Sequence, residues 1–318
     1  MPKSKAKSSQ LIIFEDGTLY HIDLRRSDNM PHNVLLVGAS DRVDLISSHF
    51  DMITFENRNK ARPEFHTIVG IYKDLPVAAM SIGIGMGPID IAVNELHALF
   101  EYDHKMDSWT FRKKPRINII RVGTCGTSLP EVSAGALAIS SHGIGLDNLG
   151  AYYPIPVRER DPLTIKIEQN FLRTKIGTIN PLAYCSPASP TTVWALRKSA
   201  EALGEGHNVV RGITTASPGF FGPEGRQIGR LKTAFSSGDF RKIIQSFNVN
   251  GLKIINHEME TGILFRLGHE HLSYNVGAIC LVIDNLATDE VITGDEAKEK
   301  MNVCIKVALN SLVAFSNK

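Results

Sequence analysis

Arg121 follows the apolar pair Ile119-Ile120 and opens the run Arg121-Val122-Gly123-Thr124-Cys125-Gly126-Thr127, a set of residue types suited to an oxyanion. A guanidinium offers planar, bidentate N–H donors, and Thr124 adds a hydroxyl. Gly123 and Gly126 let backbone N–H groups approach a ligand that a Cβ would exclude. The plain alternative for an isolated R-x-G-T is an arginine capping a strand end.

Three further segments carry chemistry or positioning. Val34-Leu35-Leu36-Val37-Gly38-Ala39-Ser40-Asp41-Arg42 reads as a strand, a tight turn and a helix start with a second arginine. Ser81-Ile82-Gly83-Ile84-Gly85-Met86-Gly87-Pro88 leads into residues 89–100, where apolar side chains at 89, 92, 93, 96, 99 and 100 mark one helical face. Its glycines lack the G-x-G-x-x-G spacing of a dinucleotide fold, and Asp103 follows a helix rather than a second strand. Asn256-His257-Glu258-Met259-Glu260 places two carboxylates around a methionine ahead of Ile263-Leu264-Phe265.

In chain order these segments closely resemble the nucleoside phosphorylase family, and within it the uridine phosphorylases. The resemblance rests on Gly38 to Arg42, Arg121 to Thr124 and Glu258-Met259-Glu260, and it spans residues 18 to 315. It implies an α/β fold, a single-domain three-layer α/β/α sandwich with a central mixed sheet. The implied reaction is reversible phosphorolysis of uridine to uracil and ribose 1-phosphate, a pentosyl transfer with inorganic phosphate as co-substrate and neither cofactor nor metal. Gly38, Arg42, Arg121 and Thr124 would hold phosphate. Arg62 would join them from a neighbouring subunit, one residue before Pro63, where the family's donated arginine aligns. Glu260 would accept from the ribose diol, with Met259 packed on the sugar and Thr124 nearby. Glu258, on another side of the expected helix, would have the lesser part. His21, in Leu19-Tyr20-His21-Ile22-Asp23-Leu24, resembles the histidine that reaches the ribose of the neighbouring subunit's site, which implies a homodimer. Arg121, Arg226 and Glu260 would be the catalytic residues.

For the base, Thr214 to Arg226 looks like the pyrimidine-specific insert of uridine phosphorylases, with Phe220 on the ring and Arg226 gripping it. Gly126, Val282 and Ile283 complete the implied base set. Two departures bear on the base. Glu224 stands where a glutamine is expected, so an amide becomes a carboxylate that accepts from uracil N3–H and, when ionised, donates to nothing. Asp284 stands near the aspartate with which purine nucleoside phosphorylases protonate N7. It serves equally as a structural cap or as a partner for a neighbouring arginine. A purine nucleoside phosphorylase and a non-catalytic nucleoside-binding protein are the alternatives.

Apolar runs at 34–37, 75–82, 116–122, 135–140, 209–214 and 276–283 predict strands, and periodicity predicts helices at 89–100, 191–203, 258–268 and 295–315. In the last of these Met301, Cys304, Ile305, Ala308, Leu312 and Phe315 form an inward stripe. With 43% hydrophobic and 21% charged residues the chain can bury a substantial core, and its scattered prolines and glycines show no linker, so one domain over 11–318 is expected. A net charge of +2 argues against nucleic acid and membrane partners. Cys125, Cys185, Cys280 and Cys304 lack C-x-x-C spacing, which suits reduced thiols in a cytoplasmic protein. Residues 1–10, basic and followed by no long apolar run, read as a disordered tail, and polar 102–115 as a surface loop.

Overall fold

The computed structural model describes residues 9–109 and 115–316; most of the expected tail and residues 110–114 of the expected loop lie outside the described residues. Where the sequence predicts one domain, contacts gather into two compact units, Met1–Ile119 and Ile120–Lys318.

The first unit carries β1 (Asn33–Val37), α1 (Ser40–Ser47), β2 (Met52–Arg58), β3 (His66–Tyr72), β4 (Leu75–Ser81) and α2 (Met86–Glu101). β1 runs parallel to β4, while β4 with β3 and β3 with β2 are antiparallel. Lys73 and Asp74 join β3 to β4 with φ of 49° and 63°, the left-handed pair that a two-residue hairpin of the strands' own twist requires. Gly38 follows β1, and the tight turn there delivers Arg42 half-buried on α1. α2 buries Ile89, Ala92, Val93, Leu96 and Leu99 on the face the periodicity marks. The polar segment after it is not an open loop throughout. Tyr102–Asp103 (β5) and Ser108–Trp109 (β6) pair as a short hairpin, and Trp109 stacks on His97 with ring centroids 4.7 Å apart.

The second unit begins within β7 (Asn118–Thr127) and continues with β8 (Leu137–Gly145), α3 (Pro162–Leu172), α4 (Lys175–Ile179), β9 (Tyr184–Pro187), α5 (Pro190–Ala202) and β10 (Val209–Ala216). Then come α6 (Ser237–Ser246), β11 (Asn248–Val249), β12 (Leu252–Glu258), α7 (Thr261–Leu264), β13 (Asn275–Asn285), β14 (Glu290–Val291) and α8 (Gly294–Ser316). The sheet is mixed. β10 is parallel to β8 and β12, and β13 is antiparallel to β8. The order β12-β10-β8-β13-β7 closes on itself, because Gly126 of β7 pairs with His257 of β12. That single pair brings the R-x-G-T segment beside the E-M-E segment.

α5 and α8 pack on each other and on β13. Met301, Cys304, Ile305, Ala308 and Leu312 of α8 are buried as expected, with Phe315 half-buried. The helix predicted over 258–268 is different. Glu258 ends β12, Glu260 is the N-cap of the four-residue α7, and a π-helix follows over Phe265–His271. Among the described residues no helix is long and apolar enough to cross a membrane.

Candidate active site

Arg121 lies on β7 with a side chain 5% exposed. Its Nε–H donates to Glu258 Oε2 at 2.8 Å, and an Nη2–H donates to Glu260. Gly123 makes room for the guanidinium, since a Cβ there would lie 2.8 Å from Arg121 Cζ. Arg121 Nη1 is buried without a partner, an orphaned donor on a cation, which a ligand oxygen would satisfy. Glu258 also accepts from the N–H of Glu260 at 3.0 Å and of Thr261 at 2.8 Å, so it caps the first turn of α7. Burial alone would raise the pKa of Glu258. The charge of Arg121 and the Thr261 N–H outweigh that and hold it below the ordinary glutamate range. The same two carboxylates hold Arg121 charged against its own burial.

Glu258 does not stand on the expected helix. At the end of a strand rather than on a helix, its carboxylate turns to Arg121 and the turn backbone, which makes it the group that sets the arginine. Met259 is half-buried between two buried glutamates, and Thr124 is half-buried within β7.

A second cluster gathers around Arg226. Its Nε–H donates to Glu224 Oε2 at 2.7 Å and its Nη2–H to Asp284 Oδ2 at 3.0 Å, and its Cζ sits 4.1 Å from the centre of the Phe220 ring. Asp284 is thus an arginine partner, one of the roles its sequence position leaves open. Phe220 is 45% exposed, so it is not a core aromatic. Glu224 is 2% exposed, and its second oxygen lies 3.2 Å from His257 Nδ1. Burial would raise the Glu224 pKa, but His257 and Arg226 outweigh it and hold the carboxylate low. Gly126 provides the space, since a Cβ there would fall 2.4 Å from His257 Cε1 and 2.8 Å from Asp284 Oδ1. Val282, expected at the base, is instead a core residue, fully buried with Cys125, Ile255 and Cys280. Strand alternation sends the half-buried Ile283 to the opposite face.

In the first unit, His21 Nδ1 lies 2.6 Å from Glu95 Oε1, and the backbone N–H groups of His21 and Ile22 donate to Glu95 Oε2 at 3.1 and 2.9 Å. A carboxylate only accepts, so the imidazole carries a hydrogen on Nδ1. Arg62 lies over the Tyr20 ring at 4.0 Å and donates from Nη1 to the Tyr20 carbonyl at 3.3 Å. Asn59 donates to the His21 carbonyl at 2.8 Å. His21 and Arg62 are therefore held as one group.

His257, Glu95 and Ser128 carry no role in the sequence reading. Glu95 had a signal, a carboxylate on the apolar face of an amphipathic helix. His257 and Ser128 had none, because Glu224 and Ser128 reach His257 only through long-range contacts.

Residues 33–317 match the model of the phosphorylase superfamily. The uridine phosphorylase of Thermococcus kodakarensis is 28% identical over 277 residues, which cover 87% of this chain and 80% of that protein. A crystal structure of a Trypanosoma brucei nucleoside phosphorylase described as showing uridine phosphorylase activity superposes with a TM-score of 0.86 at 30% identity, covering 96% of this chain and 99% of its own. The purine nucleoside phosphorylase of Toxoplasma gondii superposes with a TM-score of 0.65 at 20% identity over 95% of this chain and 97% of its own, a likeness of fold. With nearly its whole length matched, and with a mixed sheet flanked by helices as that family's relatives have, this chain belongs to the phosphorylase superfamily.

Proposed function

We propose that this chain is a uridine phosphorylase, a pentosyltransferase that cleaves uridine with inorganic phosphate to uracil and ribose 1-phosphate. The observation that carries the reading is the linkage of two clusters through consecutive residues. Glu258 holds Arg121, and His257, one residue earlier, holds Glu224 and through it Arg226. The uridine phosphorylase relatives support the same reaction.

In this reading Arg121, through the donors not used by its carboxylates, and Thr124 hold phosphate, and the resemblance adds Gly38 and Arg42 to that set. Glu260 accepts from the ribose 2′- and 3′-hydroxyls, and Met259 lays its thioether on the sugar. As the N-glycosidic bond stretches, the sugar becomes cation-like and a phosphate oxygen attacks C1′. The bonding pair leaves with the base, whose negative charge meets the preorganised guanidinium of Arg226 beneath the Phe220 ring. Phosphate is the co-substrate, and the scheme uses no cofactor. His21 and Arg62 serve the site of a second subunit in a homodimer. A cytoplasmic place in pyrimidine salvage completes the proposal.

Phosphate dependence tests it. Uracil released from uridine only when phosphate is present supports the reading, and equal release without phosphate contradicts it.

A further inference from the structure

Both oxygens of the Glu224 carboxylate have a partner. Oε2 accepts from Arg226 Nε–H, and Oε1 faces His257 Nδ1 at 3.2 Å. Because a carboxylate cannot donate, Nδ1 must carry the hydrogen of the imidazole. In the neutral ring Nε2 is then an acceptor, and Ser128 Oγ lies 3.5 Å from it, at the long limit of a hydrogen bond. The ring is 2% exposed and stands edge-on to Phe240, centroids 5.3 Å apart at 81°. Gly126 faces it across the pair that closes the strand circuit. Packing on every side fixes this imidazole in one orientation, and that orientation points at Glu224.

We propose that His257 is a positioning residue for base selection. By holding Glu224 Oε1 it keeps the carboxylate turned to Arg226 and away from an amino group on the base. Arg226, clamped between Glu224 and Asp284, then offers the base only the N–H donors it has not spent on them, so the base must present a carbonyl oxygen there. A 4-oxo pyrimidine meets that demand and a 4-amino pyrimidine does not. Released from His257, Glu224 would turn a free carboxylate oxygen toward the base and welcome the amino group. The inference rests on the uridine reading and adds to it the residue that sets selection.

The test compares wild type with His257→Phe, which keeps the ring and its packing on Phe240 but loses the donor, and with His257→Asn, whose amide N–H stands near the place of Nδ1. Steady-state kinetics with uridine and cytidine at saturating phosphate are the readout. His257→Phe is expected to raise the uridine KM roughly tenfold or more, the effect of losing a buried hydrogen bond to a charged group. The change in kcat should be smaller, the phosphate KM should be unchanged, and the uridine-over-cytidine ratio should fall by a similar factor. His257→Asn should restore most of both. An unchanged uridine KM, or equal losses for both nucleosides and for phosphate, overturns the proposal. Should His257→Phe not fold, nitrogen-15 NMR of the wild-type ring decides. A proton on Nδ1 is required, and a neutral ring protonated on Nε2 overturns the proposal. A wild type that cleaves no uridine would sink the function itself, while the tautomer measurement would still report on His257.

Discussion

Arg121 and Glu258 stand 137 residues apart in the chain and 2.8 Å apart in space, joined by a charge-assisted hydrogen bond in the buried interior of the second unit. The same carboxylate accepts from the N–H groups of Glu260 and Thr261. One side chain therefore fixes both the arginine assigned to phosphate and the turn that carries the glutamate assigned to ribose. Their relative position is set before any substrate arrives, which is the condition under which electrostatic stabilisation acts without reorganisation.

Arg121→Ala should lower kcat/KM for phosphorolysis roughly a hundredfold or more, the usual loss when a preorganised donor is removed. Arg121→Lys should recover little, because a single ammonium cannot reproduce the fork that reaches both Glu258 and Glu260. Steady-state rates at varied phosphate check this, and a near-normal rate for Arg121→Ala would remove the residue from the site.

Glu258→Gln should destabilise the fold as well as slow it, by about 3 kcal/mol, since it leaves part of a buried guanidinium charge unpaired. Urea unfolding followed by fluorescence measures the change. A variant as stable as wild type would mean that Glu260 alone suffices to hold Arg121.

Acid should act on the same groups. Glu224 and Glu258 have folded pKa values below the ordinary glutamate value of 4.5, so the native state binds fewer protons than the unfolded chain. Their contribution to stability is complete above the unfolded pKa and is lost as pH falls through the folded values. Tm should stay level down to about pH 5 and drop below it, less steeply in Glu224→Gln, which has one such carboxylate fewer. A Tm already falling near neutral pH, with Glu224→Gln following wild type throughout, would assign acid sensitivity elsewhere.

His21 and Arg62 are held together by Glu95, Tyr20 and Asn59, and the proposal gives them to a partner's site. Inactive Arg121→Ala chains mixed with inactive His21→Ala,Arg62→Ala chains should regain activity, because a mixed dimer holds one intact site. No recovery after demonstrated subunit exchange would mean that each chain completes its site alone.

Much of this was legible in the sequence, and the misses share a cause. Strands such as β1, β10 and β13 and the long helices α2, α5 and α8 announce themselves by apolar runs and 3.6-residue periodicity. E-M-E has the apolar follow-on of a helix start, whereas the strand continues to Glu258 and the helix begins only at Thr261. Val282 looks like a pocket residue by its neighbourhood to Asp284, yet it is fully buried among Cys125, Ile255 and Cys280. The part played by His257 depends on its contact with Glu224 on a separate segment, a long-range contact that no local pattern encodes.

The central claim is most directly measured by following uridine and inosine side by side in phosphate buffer while phosphorus-31 NMR identifies the sugar product. Uridine consumed faster than inosine, with ribose 1-phosphate formed in step with uracil, is the predicted result. Inosine preferred, with cleavage lost in Asp284→Asn and untouched in Arg226→Ala, would contradict it, as would free ribose in place of the phosphate ester.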